Sequence, residues 1–302
     1  MIYFILADIH ANDLALDAVI QDSRKVLNLR DDQSHKYIFL GDIVGRGPLP
    51  IQVFTKLDSV DPAIWLAGNH DKAIISDQFK TKMHSPDREI LEIHRKVLND
   101  GLRERISGYK TKAILGDMVL SHGFPLLDED RSVEAYEKDY ISDPKFIEDL
   151  WQTEYEGSHI WIMGHSHRQT FWQYSQNTKQ WRIRSLRSND SNSEFGQSLM
   201  GDNGHFQLSE ELNGRYSIKF RLERSEISES LLIINPGSIG FPRDGKPPIL
   251  SPALSLAKYL IMEEADGFII FHYVAVSYKN ELLLQTWRNS NYPNEIIRRF
   301  MI

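Results

Sequence analysis

The chain has 302 residues, of which 41% are apolar and 25% charged, and its net charge is −7. That length leaves room for one large α/β domain or two small ones, and the acidic balance argues against an extended non-specific nucleic-acid surface, though not against a local basic patch. With no cysteine there are no disulfides, no thiolate nucleophile and no sulfur-ligated zinc.

Met1 to Ala7 is apolar but short, with no basic leader and no small-residue cleavage site. It reads as a buried strand and not as a signal peptide. No apolar run approaches the length of a membrane span. The expected location is the cytoplasm, with no membrane partner.

From Asn12, an N-cap, the spacing of Leu14, Leu16, Val19 and Ile20 becomes helical. Tyr37 to Leu40 reads as a second buried strand and Pro48 to Leu57 as a helix opened by proline. Ala63 to Ala67 is a third strand. Arg88 to Ile106 predicts one long charged amphipathic helix. Met118 to Leu120 is a strand, Pro144 to Trp151 a helix and His159 to Met163 a strand. Beyond it, Thr170 to Tyr174 and Gln180 to Ile183 read as strands, and Arg187 to Gly204 as a Ser/Asn/Gly-rich loop. Phe206 to Leu212 and Arg215 to Leu222 flank Asn213-Gly214, a type I′ hairpin signal. Leu231 to Ile234 and Gly267 to Val276 are further strands, with helices expected at Tyr278 to Trp287 and Asn294 to Phe300. The first half thus alternates strand, loop and helix, which calls for parallel pairing with helical crossovers.

Five of the loops that follow strands carry chemistry. They are Asp8-Ile9-His10, Gly41-Asp42, Gly68-Asn69-His70-Asp71, Ser121-His122-Gly123 and Gly164-His165-Ser166-His167. Open α/β sheets place their sites at such strand ends. Residues i and i+2 of extended backbone share a face. Asp8 and His10 can therefore grip one ion together, and His165 with His167 can chelate one ion or straddle two. Asp42 has two oxygens and can bridge two cations. Asn69 offers a neutral carbonyl oxygen, and His122 a further imidazole. His70 is a candidate proton donor to a leaving oxygen, with Asp71 oriented to accept its second N–H. Arg46, between Gly45 and Gly47 and just before Pro48, suits a phosphate. Each motif alone has an ordinary reading as a turn, a cap or a packed histidine; their conjunction in one order does not. The donor set suits two divalent ions of the Mn, Fe, Co, Ni or Zn type, and the reaction such a pair supports is phosphate-ester hydrolysis by a hydroxide shared between them. The other histidines, His35, His84, His94, His159, His205 and His272, are expected at the surface or in packing.

Taken together, the five blocks resemble the calcineurin-like metallophosphoesterase superfamily, over about Ile2 to Arg243. The resemblance implies a four-layer α/β/β/α sandwich of two mixed sheets in a single domain, 1–302, with an insertion at about 176–230. It implies that Asp8, His10 and His167 hold a first metal, that Asn69, His122 and His165 hold a second, that Asp42 bridges both, and that His70 is a catalytic non-ligand. It points to Mn or Fe as the ions. Asn235-Pro236-Gly237-Ser238 with Pro242-Arg243 is similar to a block of small bacterial and archaeal phosphodiesterases. Gly45-Arg46-Gly47-Pro48 looks more like diadenosine tetraphosphatases and phosphoprotein phosphatases, which usually carry Asp or Asn where this chain has Gly45. The expected substrate is a phosphorylated small molecule or nucleotide, as diester or monoester. A dinucleotide polyphosphate hydrolase, a protein phosphatase, a nuclease (Arg182, Arg184 and Arg187 form a basic stretch) and a non-catalytic scaffold remain alternatives. Oligomerisation is left open.

Overall fold

The computed structural model describes residues 1–28, 34–185, 207–212, 215–243, 254–290, 292–295 and 297. In chain order the elements are β1 (Ile2–Leu6), α1 (Asp13–Asn28), β2 (His35–Phe39), α2 (Pro50–Leu57), β3 (Pro62–Trp65), α3 (Asn69–Ile75), α4 (Asp77–Lys82), α5 (Ser85–Val97), α6 (Asp100–Ser107), β4 (Lys112–Leu115), β5 (Met118–Ser121), α7 (Glu129–Ser132), α8 (Glu137–Ile141), α9 (Pro144–Glu154), β6 (Ile160–Met163), β7 (Gln169–Ser175), β8 (Gln180–Ser185), β9 (Gln207–Leu212), β10 (Arg215–Glu223), α10 (Arg224–Ser228), β11 (Ser230–Pro236), β12 (Leu254–Ala265), β13 (Phe268–Lys279) and α11 (Asn280–Arg288). Among the described residues the strands form two mixed sheets. The first runs β3-β2-β1-β12-β13-β10-β9, and the second β4-β5-β6-β11-β7-β8.

Side-chain alternation builds the layers. On β1, Ile2, Phe4 and Leu6 face a core shared with α1, α2, α5 and α11, while Tyr3 and Ile5, with Ala7 just beyond the strand, face the second sheet. On β6, Ile160 and Ile162 join the core between the sheets, while Trp161 and Met163 pack on Ile147, Leu150 and Trp151 of α9. Strands apolar on both faces are buried on both faces, and the result is the α/β/β/α sandwich expected. A one-residue slip of β1 would swap its two apolar sets between cores of different shape, so the register is tightly held.

The parallel pairs are β1–β2, β2–β3, β5–β6 and β6–β11. Leu6 lies opposite Phe39 and Ser121 opposite Met163. Neighbouring strands therefore end level, and the loops after β1, β2, β3, β5 and β6 emerge along one edge of the sandwich.

Several expectations need correction. The long helix predicted over Arg88 to Ile106 is two helices, because the Asn99 side chain accepts the Leu102 N–H and caps α6 anew. The Pro48 helix begins only at Pro50. β4 and β12 have no counterpart in the sequence reading, and β12 pairs antiparallel with both β1 and β13. Asn12 does cap α1, through the Ala15 N–H. Within the expected insertion, β8 lies at the edge of the second sheet and β9 and β10 at the edge of the first. The Asn213-Gly214 turn, the Arg187 to Gly204 loop and most of the last expected helix lie outside the described residues. No described helix is long and apolar enough to cross a membrane.

Candidate metal centre

All seven expected ligands, with His70, gather at this edge and are nearly excluded from solvent; Asp8, His10 and His122 are fully buried. The loops are stitched to one another by backbone bonds. Asp8 N–H donates to Gly41 C=O (3.0 Å), His10 N–H to Asp42 C=O (2.9 Å) and Gly164 N–H to His122 C=O (2.8 Å). Side chains add His165 N–H to Asp8 Oδ2 (3.1 Å) and His70 N–H to Asp42 Oδ1 (2.9 Å).

Backbone strain concentrates here. Asp8, His10, Asp42, Arg46, His165 and His167 all have φ between 51° and 65°. Non-glycine residues adopt that region at a cost of about 1–2 kcal/mol each, which surrounding structure must offset. Gly68 is required for a second reason: a Cβ there would lie 2.1 Å from Asp42 Oδ1 and 2.5 Å from its backbone nitrogen.

Backbone carbonyls orient the imidazoles. His10 Nδ1 lies 3.1 Å from Val44 C=O, His122 Nδ1 2.8 Å from Leu40 C=O, and His167 Nδ1 2.7 Å from Phe241 C=O. A carbonyl only accepts, so each Nδ1 carries a proton and each Nε2 turns inward. His165 enters by its other nitrogen, with Nδ1 3.1 Å from Asn69 Oδ1 and Nε2 buried without a partner.

This wiring tests whether the residues suit a cation. Burial holds the His10 and His167 imidazoles well below their ordinary range, so both are neutral. Their inward Nε2 atoms then carry lone pairs, yet they face each other at 3.0 Å. Two lone pairs at that distance repel unless a positive charge sits against both. Asp8 Oδ1, 3.4 Å from His167 Nε2, is likewise buried without a hydrogen bond. Burial, with Asp42 nearby, pushes the Asp8 carboxyl up to about 7. Burial would also raise Asp42, but His122, His70 and His10 around it outweigh that and hold it well below the carboxylate range. Burial would lower His122, but Asp42 and Asp8 push it up to about 9, so a proton on this ring stands in for a cation. The donor set fits divalent transition ions.

Ligand atoms fall within 4.8 Å of one another in three groups: Asp8, His10 and His167; Asp8, Asp42 and His122; and His10, Asp42 and His70. The first matches the triad implied by the sequence, with Asp42 adjacent. The third draws in His70, expected as a non-ligand; its Nε2 is 3.9 Å from Asp42 Oδ2. Asn69 Oδ1 lies between His122 Nε2 (3.2 Å) and His165 Nδ1 (3.1 Å), which brings the second expected trio together.

Asp71 departs from expectation. Its carboxylate does not orient the His70 ring. Oδ1 accepts the N–H groups of Ile43 and Val44 (3.0 and 3.2 Å), and Oδ2 that of Gly68 (3.0 Å). Asp71, at the N3 position of α3, closes a capping box on the Gly68 N–H and with its other oxygen ties the Asp42 loop to the Asn69 loop. The Asn235 to Arg243 block braces the opposite side. Asn235 Nδ2 donates to Gly164 C=O and Ser166 Oγ, Ser238 Oγ donates to Asp8 C=O, and Arg243 N–H donates to His167 C=O.

Above the buried groups lies a cleft of about 210 Å³, lined among others by Arg46, His70, Lys82, Asp87, Tyr136 and Arg243. Arg46 faces Asp87 (Nε to Oδ1, 3.4 Å) and Lys82 faces Glu134 (3.2 Å). Arg243 has no carboxylate partner among the described residues. The sequence reading takes His94 as a surface or packing residue. It is fully buried and hydrogen-bonded to the loop that carries Arg46.

A model of the calcineurin-like phosphoesterase family matches residues 1–185. The chain is 24% identical over 273 residues to an uncharacterized protein of Methanocaldococcus jannaschii, covering 87% of this chain and 82% of that one. Among solved structures it is similar to a metallophosphoesterase from Sphaerobacter thermophilus, with 22% identity, a TM-score of 0.64 and coverage of 99% and 98% of the two chains. The likeness to that structure is one of fold.

Proposed function

The chain belongs to the calcineurin-like phosphoesterase family and is a hydrolase of phosphoric esters; from that premise we propose that it works with two divalent ions held by Asp8, His10, Asp42, Asn69, His122, His165 and His167. The observation that carries this reading is the pair of neutral imidazoles whose Nε2 atoms meet at 3.0 Å. When bound, the ions supply an activated water and positive charge for the phosphoryl oxygens.

The chain's own groups do the rest. Asp42 presents Oδ2 toward His10, His122 and His70 while Oδ1 is fixed by the His70 N–H, so its carboxylate is held in one orientation. Asp71 locks the two loops that carry Asp42 and Asn69. Arg46 and Arg243, which both line the cleft, take phosphoryl oxygens. His70 Nε2 faces the centre and donates a hydrogen bond to the departing oxygen, stabilising the charge that develops there. Its Nδ1 sits against Gly45, where no competing acceptor reaches it. The low-exposure floor excludes bulk water, which strengthens each of these charge interactions.

We favour a small phosphodiester or phosphomonoester in a single 1–302 domain, with Mn or Fe as the ions. The test strips the protein with chelator, restores single metals, and measures bound metal and release of nitrophenol from p-nitrophenyl phosphate and bis(p-nitrophenyl) phosphate. Two ions per chain and metal-dependent release are expected. One ion, or none, sinks the dinuclear reading, and two ions without turnover favour a scaffold. His70→Ala should retain both ions and lose rate; loss of an ion would make His70 a ligand, as its grouping with His10 and Asp42 allows.

A further inference from the structure

Helix α5 buries one face, made by Asp87, Ile90, Leu91 and His94. These follow the i, i+3, i+4, i+7 spacing of a single helical stripe. Ile90 and Leu91 join the core under the first sheet. The two polar members, two helical turns apart, both reach the Gly45-Arg46-Gly47 loop.

His94 grips that loop on both sides of Arg46. Gly45 N–H donates to Nδ1 at 3.1 Å, and Nε2 donates to Gly47 C=O at 3.0 Å. A backbone N–H can only donate and a carbonyl can only accept, so the ring is a neutral Nε2–H tautomer with both nitrogens used. Between these two bonds Arg46 is held at φ 54°, and Gly45 at φ 86°. Tyr292 packs edge-on against the imidazole and its hydroxyl donates to Pro48 C=O at 3.5 Å. Asp87 meets the side chain itself, with Oδ1 3.4 Å from Nε and Oδ2 3.5 Å from Nη2 of Arg46. The carboxylate faces the Nε–Nη2 edge of the guanidinium as an ion pair, with one hydrogen bond from Nη2 and none from Nε, and the Nη1–Nη2 edge is left for a bidentate partner.

We propose that His94 and Asp87 are positioning residues for Arg46: His94 sets the backbone of the loop, Asp87 sets the plane of the guanidinium, and together they aim its open edge at a phosphoryl group in the cleft. This rests on the reading of the cleft as a phosphoester site. The cost of holding an arginine in left-handed backbone beside an active centre is met before substrate arrives, so substrate does not have to supply it. Only histidine offers an acceptor and a donor on opposite sides of one rigid ring, so neither glutamine nor asparagine can replace it in place.

The test uses the full chain loaded with Mn²⁺. His94→Gln and Asp87→Asn are made alone and in an Arg46→Ala background, with inorganic phosphate as a competitive inhibitor of nitrophenyl-ester hydrolysis. Alone, each should weaken phosphate inhibition and raise KM by about three- to tenfold, the worth of one or two hydrogen bonds, with kcat less affected and bound metal unchanged. In the Arg46→Ala background neither should cause more than about a twofold further change, since groups that act through one residue are not additive. Equal losses in both backgrounds overturn the positioning role. Asp87, at the rim, covers the case in which His94→Gln fails to fold: an Asp87→Asn protein with unaltered phosphate inhibition overturns the guanidinium half by itself. A wild-type protein that hydrolyses neither ester defeats the phosphoesterase reading instead, before any variant is compared.

Discussion

The floor of the cleft and its rim are built on different principles. The floor consists of side chains one to four residues beyond strand ends, nearly excluded from solvent, with the inward-facing nitrogens of His10, His122 and His167 each set by a backbone carbonyl bonded to the other nitrogen. The rim consists of Arg46, Lys82 and Arg243, of which two are paired with carboxylates from helices or loops remote in sequence. A floor wired to backbone is slow to relax, because the loops whose carbonyls orient the rings are themselves tied to one another by backbone hydrogen bonds. A rim wired through side chains can be retuned by single substitutions without disturbing what lies beneath. Buried donors that could hold cations are thus separated from the charged side chains that line the cleft above them.

The sharpest way to break this contrast is at the floor. Asp42→Asn removes charge from the carboxylate nearest to three histidines, and should cost about 10³-fold or more in kcat/KM together with bound metal. Metal counting alongside the rate measurement checks it, and retention of both ions with near-normal rate would refute the role of Asp42. Next comes Gly45→Ala, where floor and rim touch. Its φ of 86° disfavours any side chain, and a Cβ would lie 2.2 Å from His70 Nδ1. A loss of about 3 kcal/mol in stability, read by denaturant melts, is expected, with kcat falling further than metal content.

A smaller effect comes from acid. Burial pushes His94 down to about 3 from an ordinary 6.5. Between those values the unfolded chain binds a proton that the folded chain refuses. This contribution is therefore complete above about pH 6.5 and is lost as the pH falls toward 3. By pH 5 it should remove about 2 kcal/mol. His94→Gln should flatten the slope of stability between pH 6.5 and 5, measured by urea melts; an unchanged slope would show that His94 is not the group. The smallest effect is expected at Arg243. Arg243→Ala should raise KM about threefold and leave kcat and metal content alone, because this arginine's backbone is bonded to His167, its side chain is exposed, and it has no carboxylate partner among the described residues. A loss as large as that of Asp42→Asn would merge rim with floor.

The same division governs what could be read in advance. Five motifs, each local and each following an apolar run, carried the candidate ligands, the strand ends and hence the edge on which the site forms. Period-two burial and the i, i+2 pairing of Asp8 with His10 are properties of a few consecutive residues, so they are visible in a string. The break between α5 and α6 was also local, in Asn99, but the charged amphipathic pattern running through it was the stronger signal. The antiparallel strand β12 was not apparent, since Glu263 and Glu264 at its end and the stretch before it blur the alternation.

The sequence alone determined the donor inventory, the buried strands and the order of the loops, because these depend on side-chain type and short-range spacing. Only the tertiary structure decided which nitrogen of each histidine faces inward, that Asp71 serves backbone N–H groups and not His70, and that His94 and Asp87 hold Arg46. Each of those depends on a carbonyl, an amide or a carboxylate brought within about 3 Å by the packing of elements tens of residues apart, and a hydrogen bond's direction has no trace in the string until the fold brings its two ends together.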